Sequence, residues 1–139
     1  MADNLLEIRN LRVNFRLGGK QTFHALKGVS FAVPRNSVVA LVGESGSGKS
    51  VSALTVMDLL PHDNSEVEGG SHIVFDGQDL LQQSAQQRRA LCGSQISMIF
   101  QEPMSSLNPV YPVGAQIAEV LQLHKGMSRK AAWARAEAL

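Results

Sequence analysis

Eight consecutive residues, Gly43-Glu44-Ser45-Gly46-Ser47-Gly48-Lys49-Ser50, constrain this chain more than any other feature. They match the pattern G-x-x-x-x-G-K-[ST] without a mismatch. The pattern has meaning only between a buried strand and a helix, and both neighbours are expected here. Before it, Val38-Val39-Ala40-Leu41-Val42 is apolar on both parities, short and bounded by turn residues. That is the pattern of a strand covered on both faces of a parallel sheet. After it, Lys49 to Leu60 reads as a helix with Ala53, Val56, Met57 and Leu60 on one face, ended by Pro61.

Each residue type in the loop has a physical task. The glycines allow a tight curl that presents backbone N–H groups to an anion. The helix N-terminus adds partial positive charge beneath it. The Lys49 ammonium reaches the outer phosphates as a point charge. The Ser50 hydroxyl offers an oxygen to Mg²⁺, a hard cation. The expected ligand is therefore a nucleotide polyphosphate such as ATP with Mg²⁺.

The segments on either side place the loop in an α/β chain. Leu5 to Phe15 reads as a strand whose apolar parity slips: Leu6 and Ile8 share one parity, Leu11, Val13 and Phe15 the other. A bulge near Arg9-Asn10 is expected. Ala25 to Val33 reads as a second strand, antiparallel to the first. His62 to Gly70 reads as a polar loop, Ile73-Val74-Phe75 as a short strand, and Asp76-Gly77 as a turn. Ser84 is expected to cap a helix to Leu91, with Arg88 and Arg89 on a solvated face. Ile96 to Phe100 reads as a second buried strand. Helices are expected over Val113–Leu123, with Ile117, Val120 and Leu121 inward, and from Arg129, capped by Ser128, through Leu139. An open helix at Leu139 suggests the N-terminal part of a longer protein.

Composition excludes several classes. With 13 Lys+Arg against 12 Asp+Glu, the net charge of +1 gives no electrostatic case for nucleic acid as a partner. The single cysteine, Cys92, cannot build a disulfide framework, and four scattered histidines show no metal-ligand spacing. Asp63, Glu66 and Glu68 read as solvated charges. Trp133 reads as packing a helix face against a partner outside the chain. The N-terminus has no signal-peptide pattern, and its longest apolar run, Val38–Val42, falls far short of the roughly 20 residues that span a bilayer. A cytoplasmic location follows as the expectation.

A P-loop alone leaves kinases, GTPases and transport ATPases open. Further runs narrow the choice: the strand pair preceding the loop, Ala25-Leu26-Lys27-Gly28-Val29-Ser30-Phe31, and Met98-Ile99-Phe100-Gln101-Glu102-Pro103-Met104-Ser105-Ser106-Leu107-Asn108-Pro109. Together with the loop they resemble the ATP-binding subunit of ABC transporters, in the oligopeptide/dipeptide and nickel importer branch. The resemblance covers nearly the whole chain and implies its organisation. Residues 1–100 would hold the N-terminal antiparallel β layer and part of the P-loop NTPase core. Residues 101–139 would hold the Q-loop and the start of a helical subdomain, with the rest of the domain absent.

The resemblance also implies roles. Phe15, otherwise readable as a core residue at a strand end, would stack on adenine. Ala25 would lie near the nucleotide. Gly43, Glu44, Ser45, Gly46, Ser47, Gly48, Lys49, Ser50 and Val51 would hold the phosphates, Val51 standing where many members carry threonine. Gln101, otherwise a polar loop residue, would head the Q-loop, touch Mg²⁺ with Ser50, and assist the attacking water. The partners implied are membrane permease subunits and a second ATP-binding subunit, at the inner face of the membrane. A Leu-Ser-Gly-Gly-Gln run, an Asp-Glu pair ending an apolar strand, and a switch histidine do not occur in these residues. The chain as written is thus expected to bind nucleotide without efficient turnover, its parent being the ATPase. Non-transport ABC-like ATPases and a non-catalytic nucleotide-binding module remain the alternatives.

Overall fold

The slip in parity at the N-terminus is resolved by a backbone irregularity. In the computed structural model, which describes residues 3–102 and 106–139, β1 (Asn4–Arg16) and β2 (Thr22–Pro34) pair antiparallel. Their register shifts between Ile8 and Leu11, and Asn10 takes a left-handed φ of 49°. The extra residue brings Leu11 and Val13 to the buried side with Ile8, so both parities serve one core. The displaced Asn10 amide donates to the Ser30 hydroxyl at 2.8 Å.

β1 is the hub of the sheet, whose order is β2-β1-β4-β5, where β4 is His72–Phe75 and β5 is Gln78–Asp79. The Asp76-Gly77 turn joins β4 to β5, both residues having positive φ (48° and 79°), as a two-residue hairpin turn requires. A further strand, β3 (Ser65–Val67), pairs with β1 through Val13–Val67, Asn14–Glu66 and Phe15–Ser65. It lies inside the stretch 62–70 read as a loop. Nothing in its polar composition marks it, and it is a strand because β1 offers it an edge. Glu68 is not free in solvent either: its carboxylate accepts from the Asn14 amide at 2.5 Å.

The core of this first unit, which runs to Arg88, is made by Ile8, Leu11, Val13, Leu26, Ile73, Phe75 and Leu80. Asp79 braces it. Its carboxylate accepts from the amides of Ile73 and Leu81 and lies 2.7 Å from His72 Nδ1, capping the short 3₁₀ turn Leu80–Gln82. Burial pushes the Asp79 carboxyl up, but the His72 bond and the two amides outweigh it, and its pKa falls below the ordinary value. A carboxyl depressed in the folded state stabilises fully above its unfolded pKa and loses that contribution as pH falls through the folded one. Asp79→Ala should therefore cost about 1 kcal/mol at neutral pH. Thermal unfolding at neutral and acid pH should show the gap between variant and parent closing in acid.

Helix α1 (Lys49–Val56) is shorter than expected and turns a different face inward. Ser52 and Thr55 are buried and Ala53 is exposed. Both hydroxyls donate back to the carbonyl one turn earlier, Ser52 to Gly48 at 2.9 Å and Thr55 to Val51 at 2.6 Å. With their polar atoms satisfied, they pack as small apolar groups. The helix ends before Pro61 because Asp58 takes φ 56°, with the Asp58 and Leu59 amides returning to the carbonyls of Thr55 and Leu54. This is a left-handed C-terminal cap, built on Asp instead of the usual Gly. Asp58 is held by Arg88 at 2.9 Å, both partly buried, which corrects the expectation of a solvated Arg88.

The two expected buried strands are not strands among the described residues. Residues 38–44 are irregular and Val38 is 99% exposed. In the second segment only an isolated Cys92–Ile96 bridge forms, and Ile99 is 97% exposed. A parallel strand takes its hydrogen bonds from neighbours on each side. Among the described residues neither segment pairs with a strand, so the apolar pattern has no ladder to join.

Helix α2 (Ala85–Leu91) starts as expected. The Ser84 hydroxyl accepts from the Gln87 amide at 3.3 Å, while Gln87 Oε1 accepts from the Ser84 amide at 2.9 Å, a reciprocal capping box.

The second unit, from Arg89 to Leu139, is built on α3 (Val113–Lys125) and α4 (Arg129–Glu137). Gly126 ends α3 at φ 61°, and the Ser128 hydroxyl caps α4 through the Ala131 amide. Ala118, Ala132 and Ala136 are buried between the helices, with Ile117, Leu121, Met127 and Trp133 around them. Two expectations are corrected here. Val120 is 53% exposed, since Ala118 takes the inward place. Trp133 has its partner within the chain: a Cβ at Gly114 would lie 2.8 Å from its ring, so glycine makes room for the indole on α3. Helix α4 ends at Glu137, short of Leu139. No helix among the described residues is long and apolar enough to cross a membrane.

Candidate functional site: the glycine loop before α1

The loop takes its shape from backbone that only glycine adopts readily. Gly46 and Gly48 have φ of 81° and 92°, and Ser47 between them is not in the positive-φ region. Alternating hand over successive residues makes a concave run of N–H groups, a nest for an anion. The Ser47 amide closes a turn on the Glu44 carbonyl at 3.2 Å, and Gly48 then caps α1 with its carbonyl accepting from Ser52. Among the described residues, no oxygen accepts from the amides of Gly46, Gly48, Lys49, Ser50 or Val51. These include the open donors of a helix N-terminus.

The Lys49 ammonium folds over this loop. It donates to the Gly43 carbonyl at 2.6 Å, the Glu44 carbonyl at 2.7 Å and the Ser47 hydroxyl at 2.9 Å. All three are neutral oxygens. Among the described residues no carboxylate pairs with it, so its charge is uncompensated. An uncompensated cation, unpaired amides and a helix N-terminus all favour an anion at one place. The Ser50 hydroxyl has no partner among the described residues and stays available as an oxygen ligand. This donor set fits a polyphosphate with a hard cation. It does not by itself choose the base.

One side of the loop is tightly backed. A Cβ at Gly48 would lie 2.4 Å from Leu26 Cδ2 and 3.5 Å from the Ala25 carbonyl oxygen. Leu26 is 2% exposed, so the loop rests on β2 at Ala25-Leu26. Gly46 faces open space. Leu26 was not singled out by sequence reasoning as part of the site. The glycine pattern marks where a side chain is excluded, but not what excludes it.

The other expected site residues lie as follows. Phe15 is half-buried near the end of β1, opposite Phe23 on β2 and Ser65 on β3. Ala25 borders Gly48, as just described. Val51, in the first turn of α1, gives its carbonyl to Thr55. Gln101 lies in the second unit, exposed, on a bend. Of the run that follows it, Pro103, Met104 and Ser105 fall outside the described residues. The structure thus brings Gly43 to Ser50 together in one loop and sets Ala25 and Leu26 against it.

Comparison with known proteins identifies the family. The ABC transporter family model matches residues 26–138. The probable peptide ABC transporter ATP-binding protein y4tR of Sinorhizobium fredii is 45% identical over 97% of this chain and 40% of its own length. The glutathione import ATP-binding protein GsiA of Pectobacterium atrosepticum is 48% identical over 97% of the chain and 22% of its own. The dipeptide transport ATP-binding protein DppD of Bacillus subtilis is 45% identical over 94% of the chain and 38% of its own. The chain therefore spans less than half the length of these relatives. In fold it is similar to the ATP-binding cassette MJ0796, solved as a dimer in a post-hydrolysis state bound to ADP and Pi. The TM-score is 0.73 at 19% identity, over 96% of this chain and 54% of the other. The α/β P-loop fold read from the sequence is thereby established, and the chain belongs to the ABC transporter family.

Proposed function

We propose that this chain is the nucleotide-binding part of an energising subunit of an ABC importer for peptide-like solutes. The carrying observation is the Lys49 ammonium, held by neutral oxygens alone above the unpaired amides that open α1. The names of the relatives, which handle peptides, dipeptides or glutathione, support the solute class.

In this reading Gly43 to Val51 hold the phosphates of ATP, Lys49 exchanging its loop acceptors for phosphate oxygens. Ser50 and Gln101 offer oxygens to Mg²⁺, which neutralises the phosphate charge. Phe15 supports the base by stacking. Gln101 and the helices after it relay the state of the site to permease subunits at the inner face of the membrane, with a second ATP-binding subunit completing the assembly. Gln101 also helps place the water that attacks the outer phosphate in the parent protein.

Calorimetric titration with Mg-ATP and Mg-ADP tests the first step. Saturable binding of both is expected. Phosphate release by the chain at its own concentration should stay at the uncatalysed level, since Lys49 and Ser50 position phosphate but supply no base for the attacking water. Turnover that disappears in Lys49→Ala would contradict this division between binding and hydrolysis.

A further inference from the structure

We infer that Phe23 forms, with Phe15, a two-ring platform for the nucleotide base, and so adds to base affinity from the second strand. The inference rests on the nucleotide reading above and extends it to a residue that the sequence did not single out.

Three observations carry it. First, Phe15 and Phe23 are directly opposed in the β1–β2 ladder, so their side chains share a face. Second, that face leads to the loop. Val13 and Leu26 are the next opposed pair on it, the register shift between Val13 and Asn14 absorbing Ala25 on β2. Leu26 is the side chain that meets Gly48. Phe23 stands three residues from Leu26, about 10 Å along the strand. A base tethered through its ribose to phosphates in the loop can reach that far. Third, Phe23 is 54% exposed although the core beside it is closed, with Val13 at 0% and Leu26 at 2%. An open aromatic ring at the rim of a finished core is available to a ligand. The opposite face of the ribbon at this level is polar, with His24 Nδ1 2.7 Å from Asn14 Oδ1, so the apolar rings are confined to the side that faces the loop.

The chemistry expected is sequence-tolerant stacking, which any purine base satisfies. The platform should therefore favour nucleotides over bare polyphosphate, with little choice between adenine and guanine.

The test compares Mg-ATP with Mg-tripolyphosphate on the 139-residue chain, on Phe23→Ala and on Phe23→Tyr. Phe23→Ala should weaken Mg-ATP by about five- to tenfold and leave tripolyphosphate unchanged, while Phe23→Tyr keeps the ring and the affinity. Unchanged Mg-ATP affinity in Phe23→Ala overturns the inference. So does an equal loss of both ligands, which would give Phe23 a structural role only. If the parent chain binds neither ligand, the phosphate-loop reading itself fails and takes the platform with it. If it binds tripolyphosphate as tightly as ATP, the loop stands and the platform falls.

Discussion

Lys49→Ala should weaken Mg-ATP binding about a hundredfold or more while leaving thermal stability nearly unchanged. Two energies separate the effects. Toward the ligand, Lys49 is a full charge in a site otherwise built of partial charges. Charge-assisted hydrogen bonds are worth about 1.5–3 kcal/mol each, and the ammonium has donors for more than one phosphate oxygen. Each 1.4 kcal/mol is about tenfold in affinity. Toward the fold, the same ammonium donates only to loop oxygens in an exposed setting. Water replaces those bonds at a cost within about 0.5 kcal/mol. Calorimetry and thermal unfolding on the same preparation separate the two. A large fall in melting temperature would mean that Lys49 is a structural clasp of the loop.

The second large effect runs the other way, through the fold. Gly48→Ala should destabilise the chain by about 3 kcal/mol, and Gly46→Ala by about 1 kcal/mol. Both glycines have positive φ, so alanine is strained at each. They differ in surroundings. The added methyl at Gly48 would press into Leu26, a buried side chain with no free direction, whereas at Gly46 it would enter open space. Denaturant unfolding of the two variants checks the ranking, and equal losses would show that conformational strain alone governs the loop. Binding should fall with Gly48→Ala too, because the loop would have to lift off β2.

Some of this was legible in the sequence because certain residues leave few physical options. The glycines at 46 and 48 demand positive φ, and the lysine and serine after them have one shared chemistry. The slip between Ile8 and Leu11 announces a bulge, since a regular strand sends the two parities to opposite faces and cannot bring Ile8 and Leu11 to the same core. Ser84 and Ser128 announce helix starts. Other features depend on partners that the local pattern does not name. Ser65-Glu66-Val67 becomes a strand only because β1 has an edge to offer. Ser52 and Thr55 are buried instead of Ala53 because their hydroxyls bond back to the helix. Asp58 stops α1 through its own backbone conformation and its tie to Arg88, earlier than Pro61 would. Val38–Val42 and Ile96–Phe100 have the composition of buried strands, yet composition supplies no ladder. Within the site the glycine-lysine pattern names Gly43 to Ser50, the residues proposed to hold phosphate. It did not give Leu26, which backs the loop, or Phe23, whose place depends on the register of two strands and a shift at Ala25.

The central claim is that the amides opening α1, with Lys49, receive a nucleotide's phosphates. Amide chemical-shift mapping tests it directly, with Mg-ADP added to the ¹⁵N-labelled chain. The largest changes should fall on Gly43 to Val51, centred on the unpaired amides of Gly46, Gly48, Lys49 and Ser50, with smaller ones near Phe15. Saturable changes confined elsewhere, such as the cavity of about 340 Å³ beside Thr55, His62 and Arg88, would contradict the account.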